Sequence, residues 1–263
     1  MRKVFFMLLI ALAIFSFASC KNEPAHTPAA SYIGTKAPGD AKAVGDVVFT
    51  DGSASPYTED FTDAQKAAAI AVIFYAGDSN GVLGAKTLGV GLERFLGGVR
   101  WCLETANACN VCIDTIQCNP KGSKGAYTFE ANCDNDGSDN LSQIATKLGT
   151  NDDTATEANY PAFYFAKNYK TQATNLAGTS YEDGWYLPSL AELFEIWRNK
   201  TAVDTASEGC GGKIFGSNYY WSSSQYVSAS YENVAYGFDF SDGSWNIYYK
   251  FGDYHFASAV RAF

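Results

Sequence analysis

The chain has 263 residues, with 28 acidic against 19 basic side chains and a net charge of −9. Such a surface repels nucleic acid and anionic lipid headgroups, and no basic run overrides it, so nucleic-acid binding is set aside. The two histidines, His26 and His255, leave little of the residue that general acid–base chemistry usually recruits.

Arg2 and Lys3 open the chain, Val4 to Phe17 is apolar apart from Ser16, and Phe17-Ala18-Ser19-Cys20 closes the stretch. The apolar run is short of the roughly 20 residues that span a bilayer as a helix. Residues 1–19 therefore read as a signal peptide. The small-small-Cys ending resembles a bacterial lipobox in which the Cys20 thiol accepts the lipid; Phe17, where Leu is usual, gives it a looser, spirochaete-like form. No later segment is apolar enough to cross a membrane, so the lipid is the expected membrane contact, with the protein in the cell envelope on the outer-membrane surface. Residues 20–43 carry Pro24, Pro28 and Pro38 among Ala, Thr, Gly and Lys, which reads as a flexible tether. Residues 44–263 suffice for one domain with a full core.

Within that domain, Val44 to Phe49 followed by Thr50-Asp51-Gly52-Ser53 predicts a strand and a turn. Thr62 and Gln65 have capping-box spacing and start a short helix. Ile70 to Tyr75 predicts a buried strand, or the helix running into one. Thr87 to Leu92 predicts another strand whose glycines allow close backbone approach. Residues 100–159 read as loop-rich, with one helix over about 141–148. Cys102, Cys109, Cys112, Cys118, Cys133 and Cys210 make an even set, which in an exported chain favours disulfides, with about 15 pairings open. Zinc at Cys109 and Cys112 is the alternative, but it lacks a second, regularly spaced pair and a nearby histidine. Asp134-Asn135-Asp136-Gly137-Ser138-Asp139 is a candidate calcium string. Its spacing departs from the EF-hand, and such strings usually form solvated turns, so no cofactor is expected.

Pro161 fits the first turn of a helix over Ala162–Lys170. Ser189 with Glu192 caps the clearest helix, whose Leu190, Leu193, Phe194 and Trp197 form an apolar stripe, with Arg198 and Lys200 suiting its C-terminal dipole. From Ser217 the period becomes two. Tyr236, Phe238 and Phe240 alternate with Gly237, Asp239 and Ser241; Asp242-Gly243 turns the chain; Trp245, Ile247 and Tyr249 alternate on the return. With a last strand over 257–263, the chain is expected to end in a small antiparallel sheet. Trp185 and Trp221 read as core residues.

Gly184-Trp185-Tyr186-Leu187-Pro188-Ser189-Leu190-Ala191-Glu192-Leu193, Tyr220-Trp221-Ser222-Ser223-Ser224, Phe238-Asp239-Phe240 with Gly243, and Val260-Arg261-Ala262-Phe263 form an ordered series. The series resembles the C-terminal domain family of Legionella collagen-like proteins and spirochaete lipoproteins, a family that looks related to the formylglycine-generating-enzyme branch of the C-type lectin fold. From Val44 onward the chain is similar to Treponema variable lipoproteins, some of them diversified by a retroelement. The resemblance implies an α+β, C-type lectin-like single domain, its helices packed on a twisted antiparallel sheet and its late strands displaying a ligand-binding face.

Residues 217–258 are rich in Tyr, Ser, Asn and Asp, the composition of antibody paratopes, where Tyr supplies rigid contact area and small polar residues supply adaptable hydrogen bonds. In retroelement-diversified relatives, codon randomisation yields this same residue set, which makes 217–258 the candidate variable region. The candidate contacts are Tyr226, Ser228, Ser230, Tyr231, Asn233, Asp239, Ser241, Asp242, Asn246, Tyr248, Tyr249, Phe251, Asp253, Tyr254 and His255. Tyr236 is turned with Phe238 toward the core by the strand pattern, and Glu232, Trp245 and Lys250 are expected to be scaffold. The competing explanation is that Tyr and Ser simply suit half-buried strands. The function expected is binding of a protein or glycan ligand, without catalysis. Its alternatives are a formylglycine-generating-type oxidase, which would need late paired cysteines where only Cys210 stands, and a structural envelope lipoprotein.

Overall fold

Ordered backbone begins upstream of Val44. In the computed structural model, residues 31–130, 132–149, 155–228 and 230–263 are described; the expected signal peptide and Cys20 lie outside them. The compact unit runs Tyr32–Phe263. The Gly34 and Thr35 amides donate to the Ser53 and Ser55 hydroxyls (2.7 and 2.8 Å), and Lys36 forms a β-bridge with Ala54. The tether composition thus extends into a stretch that backbone hydrogen bonds hold in place, a force that composition does not register.

β1 (Asp46–Phe49) and β2 (Ala54–Pro56) form a hairpin. Thr62 caps α1 (Asp63–Ala68) with the full reciprocal box to Gln65, and α1 runs straight into β3 (Ala69–Ala76), buried from Ala69 to Tyr75. Burial of both faces explains why β3 is a continuous apolar run without alternation. β4 (Thr87–Gly91) pairs antiparallel with β3. A Cβ at Gly91 would sit 2.3 Å from the Tyr169 ring, the close approach its glycine permits. β5 (Phe95–Val99), β6 (Gln117–Cys118) and the hairpin of β7 (Lys121–Ser123) and β8 (Ala126–Thr128) follow. Next come α2 (Asn140–Lys147) and α3 (Pro161–Lys167). α3 stops three residues short of the expected Lys170, because the chain tightens into a 3-10 turn over Tyr169–Thr171. α4 (Leu190–Arg198) carries the expected Ser189–Glu192 capping box and is followed by α5 (Lys200–Gly209). The chain closes with β9 (Tyr219–Tyr226), β10 (Val234–Asp239), β11 (Ser244–Tyr249), β12 (His255–Ala257) and β13 (Val260–Ala262).

Two larger sheets result, in orders β13-β4-β3-β1-β2 and β11-β10-β9-β12-β5, with β6 beside β9. The domain is therefore mixed α+β, and both strand orders are open. The expected terminal antiparallel sheet is corrected in two respects. β12 pairs parallel with β9, and β13 leaves for the other sheet, where it pairs with β4. Alternation fixes which face a residue points to, not which strand lies beside it. Apolar clusters cover both faces of the six-stranded sheet. One holds Trp221 and Ala235 with Trp101, Phe163 and Trp185; the other holds Tyr220, Tyr236 and Phe238 with Leu190, Leu193 and Phe194 of α4. Trp185 and Trp221 are core residues, as their size predicts.

Among the described cysteines one disulfide is present, Cys118–Cys133, while Cys102, Cys109, Cys112 and Cys210 are thiols. This corrects the expectation of a fully paired set. An even count says nothing of proximity: Cys210 sits at the end of α5, and the Cys112 thiol accepts from Gln117 Nε2 (2.6 Å). The bridge ties β6 to the loop before α2 and closes a separation of 15 residues. The double variant Cys118→Ser/Cys133→Ser is expected to lose about 3 kcal/mol, the loop-closure value for that length, read as a lower denaturant midpoint.

Candidate ligand-binding face

The polar residues of the Trp-Tyr-Leu-Pro and Trp-Ser-Ser-Ser segments build a largely buried network with the loop before α2. Glu192, fully buried, accepts from the Ser189 amide (2.7 Å) and the Gly137 amide (3.2 Å) through Oε2, and from the Tyr186 hydroxyl (2.7 Å) through Oε1. Burial pushes its carboxyl up to about 7. Asp134 accepts from Asn140 Nδ2 (2.7 Å) and Ser224 Oγ (2.8 Å), and burial raises its pKa to about 6. Asn140 also reaches Ser223 Oγ (2.7 Å), while Ser224 Oγ accepts the Leu190 amide (3.0 Å). Helix α4, the acidic string and β9 are thereby fastened together. The candidate calcium string does not converge on one point. Asp134 turns into this network, Asp136 pairs with Lys86, and Asp139 takes a bond from Gln143. Among the described residues no group of three or more His, Cys, Asp or Glu could hold a metal ion.

On this support the β9–β11 strands present two aromatic groups. On one face Tyr219, Trp221, Tyr248 and His255 pack over Gly237, with Tyr248 and His255 centroids 4.2 Å apart and Trp221 and His255 4.4 Å apart. Gly237 makes room for them, since a Cβ there would meet the Tyr248 ring at 2.8 Å. The Tyr219 hydroxyl is hydrogen-bonded to Asp239 and Tyr248, which raises its pKa. At the sheet's far end Tyr226 stacks edge-on between Tyr236 (5.9 Å) and Tyr231 (6.1 Å), and Tyr249 lies 6.4 Å from Phe251. Tyr254 sits apart from both, under the Arg100 guanidinium at 4.9 Å.

The expected contact residues divide by exposure. Ser230, Tyr231, Ser241, Asn246, Tyr249 and Tyr254 are exposed, the tyrosines at 50%, 56% and 59%. Tyr226, Ser228, Asn233, Asp242, Tyr248, Phe251 and Asp253 are half-buried. Asp239 and His255 are buried and stand corrected as open contacts. Asp239 receives the Ser241 amide at the hairpin. His255 is walled by three aromatic rings, and burial lowers its pKa to about 4, so it is neutral near pH 7 with Nε2 unpartnered. Of the expected scaffold positions Lys250 is fully buried and Trp245 half-buried, whereas the Glu232 side chain is exposed. Tyr219, 39% exposed, was not singled out, although its alternation with Trp221 along β9 carries the signal.

Two candidate contacts have a second task. β11 is an outer strand. Its Ile247 and Tyr249 amides are taken by Asn246 Oδ1 (2.9 Å) and Asp253 Oδ2 (2.7 Å), and the Trp245 backbone is bonded by the Tyr127 hydroxyl. Side chains thus satisfy an edge that would otherwise template another strand.

No known protein family matches the chain, and no curated protein matches it. Among solved structures it is similar to a fimbrial protein from Bacteroides ovatus ATCC 8483, with a TM-score of 0.53 and 15% identity. The match covers 84% of this chain and 49% of that one, so the chain spans about half the length of that protein. At such identity the likeness is one of fold. No helix among the described residues is long and apolar enough to cross a membrane.

Proposed function

We propose that the chain is a non-catalytic surface lipoprotein, held by an acylated Cys20, that binds a protein or glycan ligand through the tyrosine-rich face of β9–β11 and its loops. The observation that carries this reading is the contrast across one hairpin. β10 is buried along its whole length, while Tyr231 and Tyr249 beside it, and Tyr254 beyond it, project outward. Large rings with one hydroxyl and little rotamer freedom to lose, set on an immobile support, are what paratopes use. A C-type lectin-like descent, with 217–258 as the diversified region, accounts for the same residues. The fold likeness to a fimbrial protein fits a role at the cell surface.

The test is a protein and glycan array probed with residues 32–263 carrying an N-terminal tag. The reading expects retention of at least one ligand class, abolished by alanine at Tyr231, Tyr249 and Tyr254. Silence across both arrays would favour a structural envelope protein instead.

A further inference from the structure

The loop from Cys102 to Cys112 is folded around a buried ammonium. Lys250 is fully buried, and its Nζ donates to the carbonyls of Ala108 (2.9 Å), Val111 (3.1 Å) and Glu232 (2.7 Å) while lying 5.1 Å from the Trp101 ring centroid. Its backbone is held as well: the Cys102 amide donates to Lys250 O (3.1 Å), and the Lys250 amide donates to Asn233 O (2.9 Å). This one residue therefore joins the cysteine loop to the loop that carries Tyr231. Successive turns, Ala106 N to Leu103 O and Cys109 N to Ala106 O, reverse the chain. They bring the Cys102 and Cys109 thiols, both buried, into hydrogen-bond contact.

We propose that Cys102 and Cys109 are an oxidation site, closing a second disulfide across this turn in the exported protein and leaving Cys112 and Cys210 as thiols. Each thiol gives up a proton and an electron, the two sulfurs bond, and the pair of electrons and protons reduces a disulfide-bonded oxidant of the envelope to its dithiol. Burial raises the pKa of both thiols in the folded domain, so little thiolate is present there to react. The bond consequently forms before the loop closes over Lys250, and is shielded from reductant afterwards. Once formed, it fixes the Ala108 and Val111 carbonyls on Lys250, and through the Glu232 carbonyl it steadies the Tyr231 loop. That last consequence rests on the proposed binding face; the bond itself does not.

The protein is purified from the cell envelope at full length, alkylated in denaturant without reduction, and cut with a glutamate-specific protease, which cleaves after Glu104 between the two thiols. The expected result is a Cys102 peptide found only in linkage to Cys109, with Cys112 and Cys210 alkylated. Alkylation of both Cys102 and Cys109, or linkage of either to Cys112 or Cys210, overturns the proposal. The mapping needs no variant and no ligand, so its outcome is independent of whether the tyrosine face binds anything.

Discussion

Glu192→Ala is expected to destabilise the domain by about 3 kcal/mol or more, while Glu192→Gln should leave it folded and change its response to pH. The alanine strands two buried donors, the Ser189 and Gly137 amides, and the half-buried Tyr186 hydroxyl, each buried one costing about 1–3 kcal/mol without an acceptor. Glutamine keeps an acceptor for the two amides and offers its own NH2 to the Tyr186 oxygen. The pH response follows from the direction of each shift. Glu192 and Asp134 have folded values of about 7 and about 6, above their ordinary ones. Their contribution is complete below the unfolded values and is lost as pH rises through those folded values. His255, lowered to about 4, acts oppositely, its contribution being complete above about 6.5 and lost as pH falls toward 4. Two carboxyls outweigh one imidazole, so stability should rise by about 1–2 kcal/mol from pH 8 to pH 5. In Glu192→Gln the rise should vanish or slightly reverse. Denaturant midpoints across that range, unchanged in slope between wild type and variant, would contradict this account of the network.

Trp221→Ala should cost about 3–5 kcal/mol, the range for truncating a fully buried aromatic ring. Trp221 is wholly buried, and its Nε1 donates to Val99 O (2.7 Å), tying β9 to the end of β5. Trp101 returns the tie by donating to Ser222 O (3.0 Å). The Trp221 ring supports His255 and, edge-on at 6.3 Å, Tyr248, so the cavity would open directly beneath the candidate face. Trp221→Phe keeps most of the volume and should cost markedly less. Equal urea midpoints for Trp221→Ala and wild type would show that the ring is not a support.

Legibility in the sequence followed the range of the forces involved. The capping boxes at Thr62 and Ser189 are written in residues three apart, and both form as the spacing predicts. The hairpin of β10 and β11, with Asp242-Gly243 at its turn, is equally local. What stayed hidden depends on distant partners. Nothing near Val260 says that it pairs with Val90, and nothing near Cys118 marks Cys133 rather than Cys112 as its partner. Glu192 is recognisable as a capping residue. That it is also buried, and shared with Tyr186 and Gly137, depends on a loop 55 residues away. The candidate face was half legible. Composition marked a stretch that carries exposed tyrosines, but it could not tell Tyr249, projecting outward, from His255, sealed beneath three rings. Nor could it show that Asn246 and Asp253 close the sheet's edge, since which strand lies outermost is a property of the whole sheet.

The central claim is that outward-facing phenols on an immobile sheet form the recognition surface. It is tested most directly by comparing wild type with the triple variant Tyr231→Ala/Tyr249→Ala/Tyr254→Ala in titrations against a ligand retained on the arrays. These rings are more than half or half exposed, so the variant should keep its unfolding midpoint within about 0.5 kcal/mol of wild type per site. Its affinity should fall by at least about 30-fold, the equivalent of about 2 kcal/mol for a hot-spot cluster. A folded variant that binds as tightly as wild type would contradict the account.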